Sequence, residues 1–227
     1  MKPILFNTEM VRAILDGRKS CTRRLVKPHN TKKSNFMGGY IQGNGLWIDL
    51  IADDGGDKQG HVKDYSVSCT WWTINEYIKR FAPYKVGYIL YVRETWCDRW
   101  LPDGFLQGAD RYGYKADGIP TFGYWGNDKQ CKEKVWIPSI HMPKEAARIF
   151  LKVTDVRVER LQDIDDRGCA HEGIVVSSLE PYFYELYIPR FKNLWDSTVK
   201  EYWQKWENNP YVWVIEFERC EKPEATT

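Results

Sequence analysis

The sequence predicts an α+β fold, and three observations carry that expectation. Residues 147–161, ARIFLKVTDVRVERL, alternate Val, Thr and Ile with Lys, Arg and Glu in the two-residue period of a strand, and 211–219, YVWVIEFER, reads as a closing alternating strand. Between them, residues 188–206 place Phe191, Leu194, Trp195, Val199, Tyr202 and Trp206 at helical spacing, which marks an aromatic core stripe. The 227 residues are 43% hydrophobic, 28% charged and 15% aromatic, which is enough to bury a core and unlike a disordered or fibrous chain.

From the N-terminus, KPILFN (2–7) reads as a short strand and TEMVRAILDG (8–17) as a helix of about two turns. Thr8 is the expected N-cap, Glu9 suits the positive end of the dipole, and Met10, Val11, Ile14 and Leu15 form the apolar stripe. Gly17 supplies the left-handed stop. Residues 30–64 hold seven glycines and several Asn and Asp, so a long loop or loose hairpin is expected. YILYVRETW (88–96) reads as a strand with Val92, Glu94 and Trp96 on one face, and YGYKAD (112–117) as another. Residues 163–174 read as a short helix ended by Gly173. No repeat or Pro-rich linker divides the chain. A single domain over 1–227 is expected, with insertions at about 30–82 and 98–134.

Composition narrows the function classes. No apolar run approaches the length of a membrane span, and residues 1–15 lack a signal peptide's layout, so a soluble cytoplasmic protein is expected. The six cysteines (21, 69, 97, 131, 169, 220) are nowhere closer than 28 residues, which excludes a CxxC redox pair and paired zinc knuckles. No metal and no cofactor are expected. The net charge of +2 hides an asymmetry: residues 12–33 carry eight Lys or Arg and one acid, a local +7 that leaves −5 for the rest. Positive charge so concentrated suits a phosphate-bearing partner.

That charge centres on GRKSCTRRLVKP (17–28), which packs Arg18, Lys19, Arg23, Arg24 and Lys27 around Ser20, Cys21 and Thr22 just behind the first helix. A threonine hydroxyl needs a base within hydrogen-bond reach to act as a nucleophile, and Lys19 serves only if burial or neighbouring cations lower its pKa. An extended strand would point Lys19 and Thr22 to opposite faces, so such chemistry requires an irregular turn after Gly17.

ILDGRKSCTRR at a helix exit, YKVGYILYVRETW on a strand, VTDVRVERLQDI followed by AHEGI, and the closing YVWVIEFER resemble, in that order, the pattern of ASCH-domain proteins. The match is most similar to the larger prophage-encoded members, where YKAD and WIPSIHMPKEAARIFLKV also have counterparts. It covers residues 2–28, 84–97, 112–117 and 136–219. The resemblance implies a small mixed β-barrel of the PUA-like type with flanking short helices, and a basic cavity that recognises RNA or a nucleotide or nucleoside ligand. Some small members hydrolyse N4-acetylcytidine, and ribonuclease activity is attributed to another. Their G-x-K-x-x-T-x-R stretch falls here on Gly17, Lys19, Thr22 and Arg24, and their glutamate on Glu172. A hydrolase using Lys19, Thr22 and Glu172 is therefore the rival expectation, with Arg18, Arg23 and Arg24 as ligand contacts. Many relatives have Asp where this chain has Tyr88, a departure in the turn before the strand. A third reading is a bacteriophage assembly protein whose insertions bind a phage or host protein.

Other residues are candidates for the same ligand. Glu94 and Trp96 share a strand face, and Glu94 reads equally as a salt-bridged strand residue. Ser139 and His141 lie in PSIHMP between prolines that fix the loop, where they would read a base edge or phosphate. The pairs Trp71-Trp72 and Tyr124-Trp125 fit either insertion packing or base stacking. No Ser, His and Asp order suggests a hydrolase triad.

Overall fold

The computed structural model describes residues 1–26, 48–50, 61–64, 70–98, 112–118, 136–176 and 186–223. The elements run β1 (Lys2–Leu5), α1 (Thr8–Leu15), β2 (Cys21–Leu25), β3 (Ile48–Leu50), β4 (His61–Asp64), β5 (Thr70–Thr73) and α2 (Ile74–Phe81). They continue with β6 (Ile89–Arg93), β7 (Trp96–Asp98), β8 (Tyr112–Tyr114), β9 (Phe150–Arg160), α3 (Asp166–His171), α4 (Tyr187–Thr198) and β10 (Tyr211–Cys220). The fold is mixed α+β, as the periodicities predict. Its contacts divide it into two units, one of residues 1–19, 87–153 and 217–227, the other of 20–86 and 154–216.

In the first unit β1 pairs parallel with β6, from Lys2 opposite Leu90 to Leu5 opposite Arg93. The opening residues of β9 pair antiparallel with β6, Tyr91 opposite Phe150. The strand expected over 88–96 breaks at Glu94 and Thr95, and β7 then pairs with β8, Trp96 opposite Tyr114. Tyr91, Trp96, Met142, Ala146, Ala147 and Phe150 form a core of this unit. Val11, Ala13 and Ile14 are the buried residues of α1. Its N-cap is Asn7 and not Thr8: Asn7 holds the extended backbone a cap requires, and its side chain accepts the Met10 N–H at 2.8 Å.

In the second unit β10 pairs antiparallel with β2, from Val212 opposite Leu25 to Glu216 opposite Cys21. The segment expected as a loose hairpin contributes β3 and β4, which join β5 in an antiparallel three-stranded sheet leading into α2. Cys21, Leu161, Ile164, Cys169, Phe191, Trp195, Val212 and Val214 form the core. The helix expected over 188–206 stops at Thr198; short 3₁₀ turns follow, and Tyr202 is exposed instead of continuing the core stripe.

The principal sheet has the order β1-β6-β9-β10-β2. Residues 149–159 and 211–219 thus belong to one sheet system, as expected, but the expected closed barrel does not form. Closure requires the edge strands to pair with a tilt and stagger. Here the edge strands are only four and five residues long, and among the described residues no pairing joins β1 to β2.

Candidate functional site

The irregular turn that the sequence requires after α1 is present. Gly17 has φ +74°, and its N–H donates to the Ile14 carbonyl at 3.1 Å. The N–H groups of Arg18 and Lys19 both donate to the Ala13 carbonyl, at 2.8 and 3.0 Å, and Arg219 Nη1 donates to the Leu15 carbonyl at 3.4 Å, so the helix end is closed. Lys19, in the first unit, is buried with its ammonium 5.6 Å from the centre of the Phe6 ring. Arg18 instead lies at the surface, paired with Asp16 at 2.8 Å.

The second unit begins with the next residue, where the Ser20 N–H donates to the His171 carbonyl at 3.0 Å and ties the entry of β2 to α3. Cys21, Thr22 and Arg23 are all buried on β2. Arg23 meets Glu172 at 3.5 Å and Glu159 at 3.4 Å, and its guanidinium carbon lies 6.0 Å from the Phe191 ring centre. Its Nε is buried and has no hydrogen-bond partner. Glu172 is the C-cap of α3, where the helix dipole opposes a carboxylate, so a buried anion there depends on a cation such as Arg23. Gly168 makes room for that approach: a Cβ at this position would come within 3.3 Å of Arg23 Nη2. Glu159 also accepts from Arg157, which reaches Asp155 and Glu216 as well, so carboxylates outnumber cations in this network.

Arg24 is half-buried opposite Trp213 of β10. Burial pulls its guanidinium below the ordinary value, against the pull of Glu172 and Tyr84. Burial pushes the Tyr84 phenol up, against Arg24. Arg23 and Arg24 line a cleft of about 610 Å³ whose further walls include Phe81, Tyr84, Trp195 and Trp213. The lining thus combines two arginines of β2 with aromatic and aliphatic residues. Trp195 is held by its indole N–H donating to the Gln204 carbonyl at 2.8 Å and by packing beside Phe191.

The remaining candidates belong to the first unit. Glu94 is 1% exposed, and Arg148 donates to both its oxygens, at 2.9 and 3.1 Å. Arg148 also grips Asp117 and stacks 3.9 Å from the Tyr114 ring centre. Burial pushes the Glu94 carboxyl up and outweighs the opposing effect of Arg148. Trp96 is buried edge-on to Tyr112, with an indole N–H that has no partner. Ser139 and His141 occupy a 3₁₀ turn, His141 exposed. Trp71 and Trp72 lie on β5, while Tyr124-Trp125 fall outside the described residues.

Five buried polar or charged side chains stand out among the described residues: Lys19, Thr22, Arg23, Glu94 and Glu172. All five are candidates by sequence. Sequence reasoning missed Glu159 and Arg148, which fall inside the stretch 147–161 read as a strand, and gave no role to Phe81, Tyr84 or Trp213. Cys21, Cys97, Cys169 and Cys220 are thiols, and burial raises the Cys169 pKa to about 12. Among the described residues no group of three His, Cys, Asp or Glu is placed to hold a metal, and no helix is long and apolar enough to cross a membrane. Comparison of the chain with protein-family models, with curated proteins and with solved structures finds no match in any of the three.

Proposed function

We propose that the chain is an ASCH-domain protein of the PUA-like type, whose basic segment recognises RNA or a nucleobase-containing ligand in the cytoplasm of a bacterial host. One observation carries the reading. The segment after Gly17 is not wholly a solvated basic loop, because Arg23 is buried in ion pairs and Arg24 lies half-buried at the lining of a cleft. Positive charge concentrated at a cleft is suited to an anionic ligand. The test is binding of a labelled single-stranded RNA across a salt series. Arg24→Ala should weaken binding and lower the log–log salt slope by about 0.7, one phosphate contact. An unchanged slope means that Arg24 does not touch phosphate.

A second reading is hydrolysis of an acylated cytidine or of RNA, and the burial of Lys19, Thr22 and Glu172 favours it, since a reacting group works best out of bulk water. Incubation with modified nucleosides and short RNAs, followed by mass spectrometry, separates the two. In this reading Thr22→Ala keeps ligand affinity and abolishes turnover. A chain that neither binds nor turns over these ligands would be an interaction protein instead.

A further inference from the structure

We propose that the turn Lys115–Asp117 is a strap latched by Arg148, and that the charge on the buried Glu94 controls the latch. The inference concerns the first unit alone and does not rest on the nucleic-acid reading above.

Three parts of that unit hold the turn. The Lys115 N–H donates to the Thr95 carbonyl at 2.9 Å, and Arg12 of α1 donates from Nε to the Ala116 carbonyl at 3.0 Å. The third tie joins two charges: Arg148 donates from Nη1 and Nη2 to the two Asp117 oxygens, at 2.7 and 2.9 Å.

Arg148 serves a second carboxylate at the same time. Its Nε and Nη2 donate to the Glu94 oxygens at 2.9 and 3.1 Å, so Nη2 is shared between Glu94 and Asp117. The Tyr114 ring, whose centre is 3.9 Å from the guanidinium carbon, fixes the plane of the fork. One positive charge does not neutralise two negative ones, and two carboxylates on a common nitrogen repel each other. Their freedom to respond is unequal. Glu94 is fully buried, and its backbone N–H donates to the buried Met142 sulfur at 3.2 Å. Asp117 is half-exposed and has water to turn to. When both are charged, Asp117 is the one that yields. An ion pair open to solvent is weak enough for that repulsion to decide it.

The charged and titratable groups that bear on Glu94 among the described residues are Arg148 before β9, Asp117 of the strap and Tyr114 of β8. Tyr114 is pushed up to about 12 and stays neutral, its hydroxyl donating to the Ala146 carbonyl at 2.6 Å. Burial favours the neutral Glu94 carboxyl, Arg148 opposes it and Asp117 adds to burial, so the group titrates above its ordinary value. Below that titration Arg148 belongs to Asp117 and the strap is latched. Above it Glu94 claims the guanidinium, and the strap opens more often. The coupling is reciprocal: what the Glu94 charge takes from the latch, the Asp117 charge adds to the Glu94 midpoint.

Hydrogen exchange of the Lys115 N–H reads the strap directly, followed by NMR on the full chain from pH 4 to pH 7 and corrected for the intrinsic pH dependence of exchange. Protection should fall about tenfold as Glu94 ionises, the equivalent of about one pH unit in its midpoint. In Glu94→Gln, protection should keep its acid value across the range. In Asp117→Asn it should be low throughout, and the Glu94 carboxyl should titrate about one unit lower than in the wild-type chain. Asp117→Asn changes an exposed position and carries the test if Glu94→Gln lowers the melting temperature. Protection that is flat in the wild-type chain, or that falls equally in Glu94→Gln, overturns the latch. So does an unchanged Glu94 midpoint in Asp117→Asn, which would make Arg148 and Asp117 a plain structural pair.

Discussion

Arg23 and Glu172, 149 positions apart in sequence, form an ion pair in which each side chain is 4% exposed. The carboxylate caps the C-terminal end of α3, where the helix dipole is unfavourable to it. The guanidinium lies on β2, a strand held to β10 by register. Each charge is placed where it would be costly alone, so the pair couples the basic segment to the later helix.

Removing either partner should therefore be expensive. Glu172→Ala is expected to destabilise the chain by about 2–3 kcal/mol, below the cost of a fully stranded buried charge because Arg23 keeps Glu159. Arg23→Ala should cost a similar amount, and the double variant should cost less than the two together. Urea unfolding of all four proteins measures the cycle. Additive losses would mean that the two charges are not coupled.

Two glycines separate backbone freedom from space. Gly17 has φ +74°, and a Cβ there would meet nothing within 4 Å. Gly17→Ala should thus cost only the backbone strain of the left-handed region, about 1–2 kcal/mol, and Gly17→Asn should cost less. At Gly168 the expectation reverses the propensity rule. Ala is better than Gly in a helix by about 1 kcal/mol, yet a Cβ at 168 would stand 2.9 Å from Ile164 Cγ1 and 3.3 Å from Arg23 Nη2. Gly168→Ala should lower the melting temperature despite its helix propensity. A rise would show that Arg23 yields without loss.

Most of the elements were legible because their patterns are local. β9 runs through eleven residues of apolar and charged side chains, β10 opens on five strand-forming apolar residues, and Gly17 and Gly173 end their helices as their type implies. Lys19, Thr22, Arg23, Glu94 and Glu172 were legible as candidates, and all are buried. Their partners were not. Arg148 follows an alanine pair and Glu159 sits among alternating charges, so nothing in either neighbourhood announces a partner 54 or 136 residues away. Barrel closure was an inference from resemblance, and the short edge strands do not supply it.

Cys169 should be inert in the folded chain. It is fully buried, and desolvation raises its thiol to about 12, so almost no thiolate exists at pH 8. Iodoacetamide at that pH should leave the Cys169 peptide unmodified in the native protein and label it in urea, as read by mass spectrometry. Rapid native labelling would show that α3 opens readily.

Glu94 sets two effects against each other. Arg148 holds the carboxylate with two hydrogen bonds, which favours its charged form, while burial and the nearby Asp117 favour the neutral one. Burial is the larger, so the folded carboxyl titrates above its ordinary 4.5. Over the interval from that value to the raised one, the folded chain keeps a proton that the unfolded chain has released. Stability contributed at this position must then fall as pH rises through the interval, and level off above it. Glu94→Gln removes the titration and leaves Arg148 with Asp117. Urea unfolding of both proteins from pH 4 to pH 7 should show wild-type stability declining relative to the variant as pH rises. A wild-type advantage that grows with pH would mean that the Arg148 pair outweighs burial and that Glu94 is held charged throughout.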